Sequence, residues 1–168
     1  MIKILIVDDE TDVEPLFMQR FRKDIREQQI QFHFAFSGED ALNFLSSLQP
    51  FDIVLVLSDI NMPGMTGLEL LRQTKQKFPQ LRVMMVTAYG DNANYEKAMS
   101  FGADEFLTKP IDFNLLKEKI MSVRWLLFKI LILYKVLLGK NKIYLQQYSN
   151  IPAPHMFRYL YIRNDSYS

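Results

Sequence analysis

Cysteine is absent from all 168 residues. Disulfides and thiolate-held metals are thereby excluded, and any core must be held by packing alone. A domain of about 120 residues buries roughly 60–70% of its unfolded surface, which is enough for that. Long apolar runs are also missing. The best candidate for a membrane span, Trp125–Leu138, has 14 residues and contains Lys129 and Lys135, short of the ~20 a span needs. No apolar leader stretch precedes the first strand signal, so no secretory signal is expected. No internal repeat or low-complexity tract is present. Acid is scarce in one region only. Residues 122–168 carry 7 Lys/Arg against Asp165 alone, a net of +6, whereas residues 1–121 carry 13 Lys/Arg against 18 Asp/Glu, a net of −5. The overall charge of +1 conceals two different kinds of chain.

What is present in the acidic part is a set of four short apolar runs. Ile4–Val7 leads into Asp8-Asp9, Ile53–Ser58 into Asp59, Val83–Val86 into Thr87, and Phe106–Thr108 into Lys109. Such runs read as strands buried on both faces, hence a parallel sheet. Helical patterns alternate with them. Thr11-Asp12-Val13-Glu14 has the form of a capping box and opens a helix with Val13, Leu16, Phe17, Phe21 and Ile25 on one stripe. Ile30–Phe36 alternates as a strand near a sheet edge, with His33 on its polar face and read as a surface residue. Ser37–Leu48 reads as a helix. Thr66-Gly67-Leu68-Glu69 opens a helix that ends before Pro79. A helix over Asn92–Phe101 is capped by Gly102, and Asp112 caps the last helix. This alternation is the pattern of a doubly wound α/β fold with a five-stranded parallel sheet, flavodoxin-like in order 2-1-3-4-5, with a C-terminal helical extension.

In such a sheet the ligand crevice lies beyond the carboxyl ends of the strands. Three aspartates, a hydroxyl and an ammonium are expected there. Asp8, Asp9 and Asp59 cannot all ionise side by side without a cation, and oxygen-only ligands with water suit Mg²⁺. A carboxylate is also a competent nucleophile toward phosphorus. Lys109 and Thr87 can hold phosphoryl oxygens, and Ala88 is small enough to admit the group. Each feature alone has a plain alternative. An Asp-Asp pair is commonly a solvated turn, and Asp59 before Asn61-Met62-Pro63-Gly64 can be a capping residue. Thr87 can simply end a strand, a Lys before Pro is usually exposed, and Phe106 can be core. Their joint order at successive strand ends favours chemistry.

These motifs carry a resemblance. The Asp8-Asp9 pair, Asp59 with Asn61-Met62-Pro63-Gly64 and Gly67, Thr87-Ala88 and Lys109-Pro110 make residues 1–121 similar to the response-regulator receiver domains of two-component signalling. The resemblance implies that Asp59 accepts phosphate from a histidine kinase or phosphotransfer protein in a Mg²⁺-dependent reaction, and that the module switches partners rather than turning over substrate. It implies metal ligation by Asp9, Asp59 and the Asn61 carbonyl, with Asp8 acting through water. It implies phosphoryl binding by Thr87 and Lys109, a cis Lys109–Pro110 bond, and a switch in which Phe106 moves as Thr87 moves. A cytoplasmic location and an unidentified output protein follow from the same likeness. Rival readings are an aspartyl-phosphate hydrolase, which would need a second Asp where Asn61 stands, and a receiver that binds partners without phosphate. Two points are particular to this chain. The strand before Asp59 is two residues longer than the usual pattern, which preserves side-chain alternation and predicts a bulge or an early strand start. Tyr89, two positions past Thr87, is bulky enough to shield the phosphoryl group.

Beyond Met121 the reading changes. Leu116, Ile120, Val123, Leu127, Ile130, Tyr134 and Leu137 form a heptad seam, so residues 122–139 are expected to extend the last helix and to favour a homodimer. Residues 140–168 are basic, aromatic and expected to be partly disordered. No helix-turn-helix is visible in them, direct nucleic-acid binding is not expected, and membrane contact is the less favoured reading.

Overall fold

Five strands pair in parallel in the order β2-β1-β3-β4-β5. They are β1 (Ile2–Val7), β2 (Ile30–Ala35), β3 (Leu55–Asp59), β4 (Arg82–Ala88) and β5 (Glu105–Lys109). The computed structural model describes residues 1–47, 53, 55–88 and 92–123. Tyr89 and the seam positions from Leu127 onward lie outside them. Between the strands run α1 (Val13–Arg20), α2 (Arg22–Arg26), α3 (Gly38–Ser47), α4 (Gly67–Lys77) and α5 (Asn92–Ser100). A further helix, α6, covers residues 113–123. Residues Met1–Leu116 form one compact unit.

Strand alternation divides the apolar side chains between two faces. Leu5, Val7, Val56, Val83 and Met85 join Ala41, Leu42 and Leu45 of α3, Leu70 and Leu71 of α4 and Ala98 of α5 in one buried cluster. The intervening residues Ile4, Ile6, Leu57 and Met84 are equally buried and face the other way. There Phe17 of α1 is the hub of an aromatic group, with ring centroids 6.0 Å from Phe21, 5.5 Å from Phe32 and 5.2 Å from Phe113. β2 pairs only with β1, so it is an edge strand as expected.

Several local expectations are corrected. The first helical stripe is broken at Phe21, where φ −102° and ψ 15° leave the helical range and separate α1 from α2. The capping box at Thr11 does not form. Asp12 takes the cap position in helical geometry without a side-chain bond, and the Val13 amide donates to the Glu10 carbonyl instead. At the second box Thr66 Oγ1 accepts from the Glu69 amide, but the Glu69 carboxylate turns to Arg72 and Gln73 rather than back to the cap. His33 is half-buried, with its ring 5.0 Å from that of Phe44, and burial and then Lys3 push its pKa down. The β1–β3 ladder is regular from Ile4–Leu55 to Val7–Ser58. No bulge therefore falls within Leu55–Asp59; residues 48–52 and 54, just before it, lie outside the described residues. The seam positions Leu116, Ile120 and Val123 are buried; the rest of the seam lies outside the described residues.

Other signals are realised as read. Gly102, at φ +87°, ends α5 in a Schellman motif, its amide donating to the Met99 carbonyl and that of Ala103 to Ala98. Asp112 Oδ1 accepts from the amides of Asn114 and Leu115 at the start of α6. The Lys109–Pro110 bond is cis.

Candidate functional site

The strand ends bring Asp8, Asp59 and Lys109 into contact. Asp59 closes β3 and is 5% exposed, and Asp8 follows β1 with the same 5%. Lys109 Nζ lies 3.1 Å from Asp59 Oδ1 and 3.4 Å from Asp8 Oδ2. The second oxygen of each carboxylate is held by its own turn. Asp8 Oδ1 accepts from the Glu10 amide at 3.0 Å, and Asp59 Oδ2 from the Asn61 amide at 3.0 Å. Each aspartate is thus fixed on one side by backbone and on the other by one ammonium group.

The electrostatics follow from burial. Asp8 has its pKa raised, first because burial disfavours the charged form, with Asp59 adding like-charge repulsion; the Glu10 amide and Lys109 offset only part of this. Lys109 is pulled down by burial, but the hydrogen bond and charge of Asp59, and then Asp8, outweigh it and leave its pKa raised. The ammonium therefore stays charged at neutral pH.

The remaining expected residues occupy the same edge differently. Asp9 follows Asp8 at the end of β1 and is exposed. Thr87 is buried in β4, one residue beyond Val86, the ladder partner of Asp59, and Ala88 pairs with Lys109. By alternation Asp8, Asp59 and Lys109 share the face of Ile6 and Leu57, whereas Thr87 shares that of Val83 and Met85. Phe106 lies on the Thr87 side, packed against the buried cluster there, with its ring 4.6 Å from the half-exposed Tyr95 of α5.

Two glycines let the loop after β3 approach the site. A Cβ on Gly67 would lie 1.9 Å from the Asp59 carbonyl oxygen, so only glycine allows α4 to start there, where the Gly67 amide donates to the Ile60 carbonyl. Gly64 has φ +71°, which turns the chain between Pro63 and Met65. Glu10 and Glu39 were not anticipated from the sequence. Glu10 Oε1 lies 3.7 Å from Lys109 Nζ, and Glu39 Oε1 accepts from the Met65 amide. Adjacency to Asp8-Asp9 was an available signal for the first. Nothing in the spacing pointed to the second, whose partner is 26 residues away.

Residues 4–121 match the family model for the response regulator receiver domain. The chain belongs to this family. Among relatives, it is 37% identical over 123 residues to the response regulator protein PilR of Pseudomonas aeruginosa, covering 71% of this chain and 25% of PilR. It is 32% identical over 118 residues to sporulation initiation phosphotransferase F of Bacillus subtilis, covering 70% of this chain and 90% of that protein. The solved structure of response regulator protein TrrA from Thermotoga maritima, in complex with Mg(2+)-BeF, superposes with a TM-score of 0.60 at 31% identity, covering 73% of this chain and 99% of that one. The chain spans about a quarter of the length of PilR.

Receiver domains bind Mg²⁺ in general, and the oxygen donors of this receiver fit such an ion. Two buried carboxylates of like charge stand beside each other, one with its pKa raised. Asp9 follows Asp8 in the chain, and Asn61 stands two residues beyond Asp59. Among the described residues no three acidic or imidazole side chains cluster closely enough to hold a metal unaided. Among the described residues no helix is long and apolar enough to cross a membrane.

Proposed function

We propose that Asp59 accepts a phosphoryl group from the phosphohistidine of a histidine kinase or phosphotransfer protein, and that the resulting charge switches the receiver between partners. The observation that carries this reading is Asp59 itself, a buried carboxylate at a strand end with one oxygen 3.1 Å from Lys109 and Asp8 beside it. A carboxylate oxygen attacks phosphorus, the new O–P bond forms as the P–N bond to the donor imidazole breaks, and the leaving nitrogen keeps that electron pair. Asp9, Asp59 and the Asn61 carbonyl would hold Mg²⁺, with Asp8 behind a water, and the ion supplies positive charge to the transferring oxygens. Lys109 neutralises a phosphoryl oxygen from the other side, and the Thr87 hydroxyl donates to another. Phe106 then follows Thr87, and the surface formed by β4, α5 and β5 changes partners. The location proposed is the cytoplasm, and the output protein is separate from residues 1–121. What is expected of residues 124–168 lies outside the described residues.

Incubation with Mg²⁺ and acetyl phosphate is expected to give a hydroxylamine-labile adduct on the wild-type chain and none on Asp59→Asn. A wild-type chain that takes no phosphate from any small donor, yet still binds partners, would establish the phosphate-independent receiver instead. The hydrolase reading has less support, because Asn61 stands where the second acid would be needed.

A further inference from the structure

We infer that Glu39, at the start of α3, is a positioning residue for the loop that carries Asn61. The inference rests on the Mg²⁺-dependent reading above. The loop from Ile60 to Thr66 is tied at its beginning by the Asn61 amide on Asp59 Oδ2, and at its end by the Gly67 amide on the Ile60 carbonyl and by the Thr66 cap. These ties are local, and the Ile60 amide adds a long-range one by donating to the Val86 carbonyl of β4 at 3.1 Å. Glu39 supplies another from elsewhere in the fold: its Oε1 accepts from the Met65 amide at 3.0 Å, across 26 residues.

The surroundings are built tightly around this bond. A Cβ on Gly64 would lie 3.2 Å from Glu39 Oε1, so the carboxylate sits against the backbone turn itself. Gly38 lies against Met65, where a Cβ would come within 2.8 Å of both Met65 Cβ and Cγ. The first turn of α3 therefore meets the loop through one hydrogen bond and one close approach. α3 in turn is anchored in the buried cluster by Ala41, Leu42 and Leu45, with 0%, 7% and 4% exposure. The beginning of the loop is held by the Ile60–Val86 bond and by buried Ile60 and Met62, and its far end is referenced to α3 by Glu39. Glu39 touches neither phosphate nor metal in this reading. It acts by limiting where the Asn61 carbonyl can lie.

The test compares Mg²⁺ affinity of the full-length unphosphorylated chain, by calorimetric titration, for wild type, Glu39→Ala, Glu39→Gln and Gly38→Ala. Glutamine keeps an acceptor oxygen for the Met65 amide but removes the charge. Gly38→Ala keeps the charge and displaces Met65. Glu39→Ala and Gly38→Ala are expected to weaken Mg²⁺ binding about fivefold, the equivalent of one net hydrogen bond, and to speed amide exchange at Met65. Glu39→Gln is expected to stay within about twofold of wild type. Urea titration in EDTA separates stability from affinity. Lower stability with unchanged affinity in Glu39→Ala would overturn the inference and leave Glu39 merely structural. Equal loss in Glu39→Gln and Glu39→Ala would overturn it in favour of a long-range charge effect. A wild-type chain that binds no Mg²⁺ would overturn both this inference and the reading it rests on, whereas wild-type binding matched by Glu39→Ala would overturn only this one.

Discussion

At the residue scale the site is a contest over one ammonium group. Lys109 faces Asp59, Asp8 and Glu10 at 3.1, 3.4 and 3.7 Å, and it does not fully offset the burial of Asp8. The folded state holds a proton on Asp8 more tightly than the unfolded chain does. Without metal, folding therefore carries a penalty that is fully present above the raised pKa and is relieved as pH falls through it toward 3.8. Asp8→Asn is expected to raise the melting temperature at pH 7 in EDTA, to flatten its dependence between pH 7 and the acid range, and to weaken Mg²⁺ binding. Thermal melts and calorimetric titration check all three. Gly67→Ala acts by shape instead. Its Cβ would meet the Asp59 carbonyl at 1.9 Å, and neither backbone can give way freely. The expected loss is about 2–3 kcal/mol by urea denaturation, with phosphate uptake from acetyl phosphate slowed about a hundredfold as Asp59 shifts.

Elements are set by their ends as much as by their faces. Apolar runs located four of the strands, because strands buried on both faces leave few polar residues inside them, and alternation located the edge strand β2. Gly102 and Asp112 were legible because each acts on chain immediately beside it. Thr11 misled because a capping box needs an extended cap residue, and Asp12 adopts helical angles at that point instead. The split at Phe21 was invisible to periodicity: Phe17 and Phe21 remain on one buried stripe although the backbone between α1 and α2 leaves the helix. Gly102→Ala tests a cap directly. An added Cβ would make only ordinary van der Waals contact, with the nearest atom 3.8 Å away in the Lys75 side chain. The cost is therefore conformational, about 1–2 kcal/mol for φ +87°, and phosphate uptake is expected to stay at the wild-type rate.

Across the whole molecule, what could be read from sequence was the inventory of the site, and what could not was its contacts. Asp8, Asp59 and Lys109 were expected at one edge and meet there. Glu39 was not expected, because a bond across 26 residues leaves no periodic trace. Asp9 was grouped with Asp8 and Asp59; it follows Asp8 just beyond β1 and is exposed. The receiver match ends at residue 121, and TrrA is covered over 99% of its length by the equivalent part of this chain. A chain ended after Val123 keeps every described element. It is expected to unfold in one transition and to bind Mg²⁺ within about twofold of the full chain, checked by urea denaturation and titration.

The division of the strand ends between two faces has a wider consequence. Asp8, Asp59 and Lys109 point to one side of the sheet, and Thr87 and Phe106 to the other. The two faces meet only around the strand termini. In the proposed reading a phosphoryl group on Asp59 would be held by Lys109 from one face and by Thr87 from the other, so the new charge reaches the side of Phe106 and Tyr95 around the edge of the sheet rather than through it.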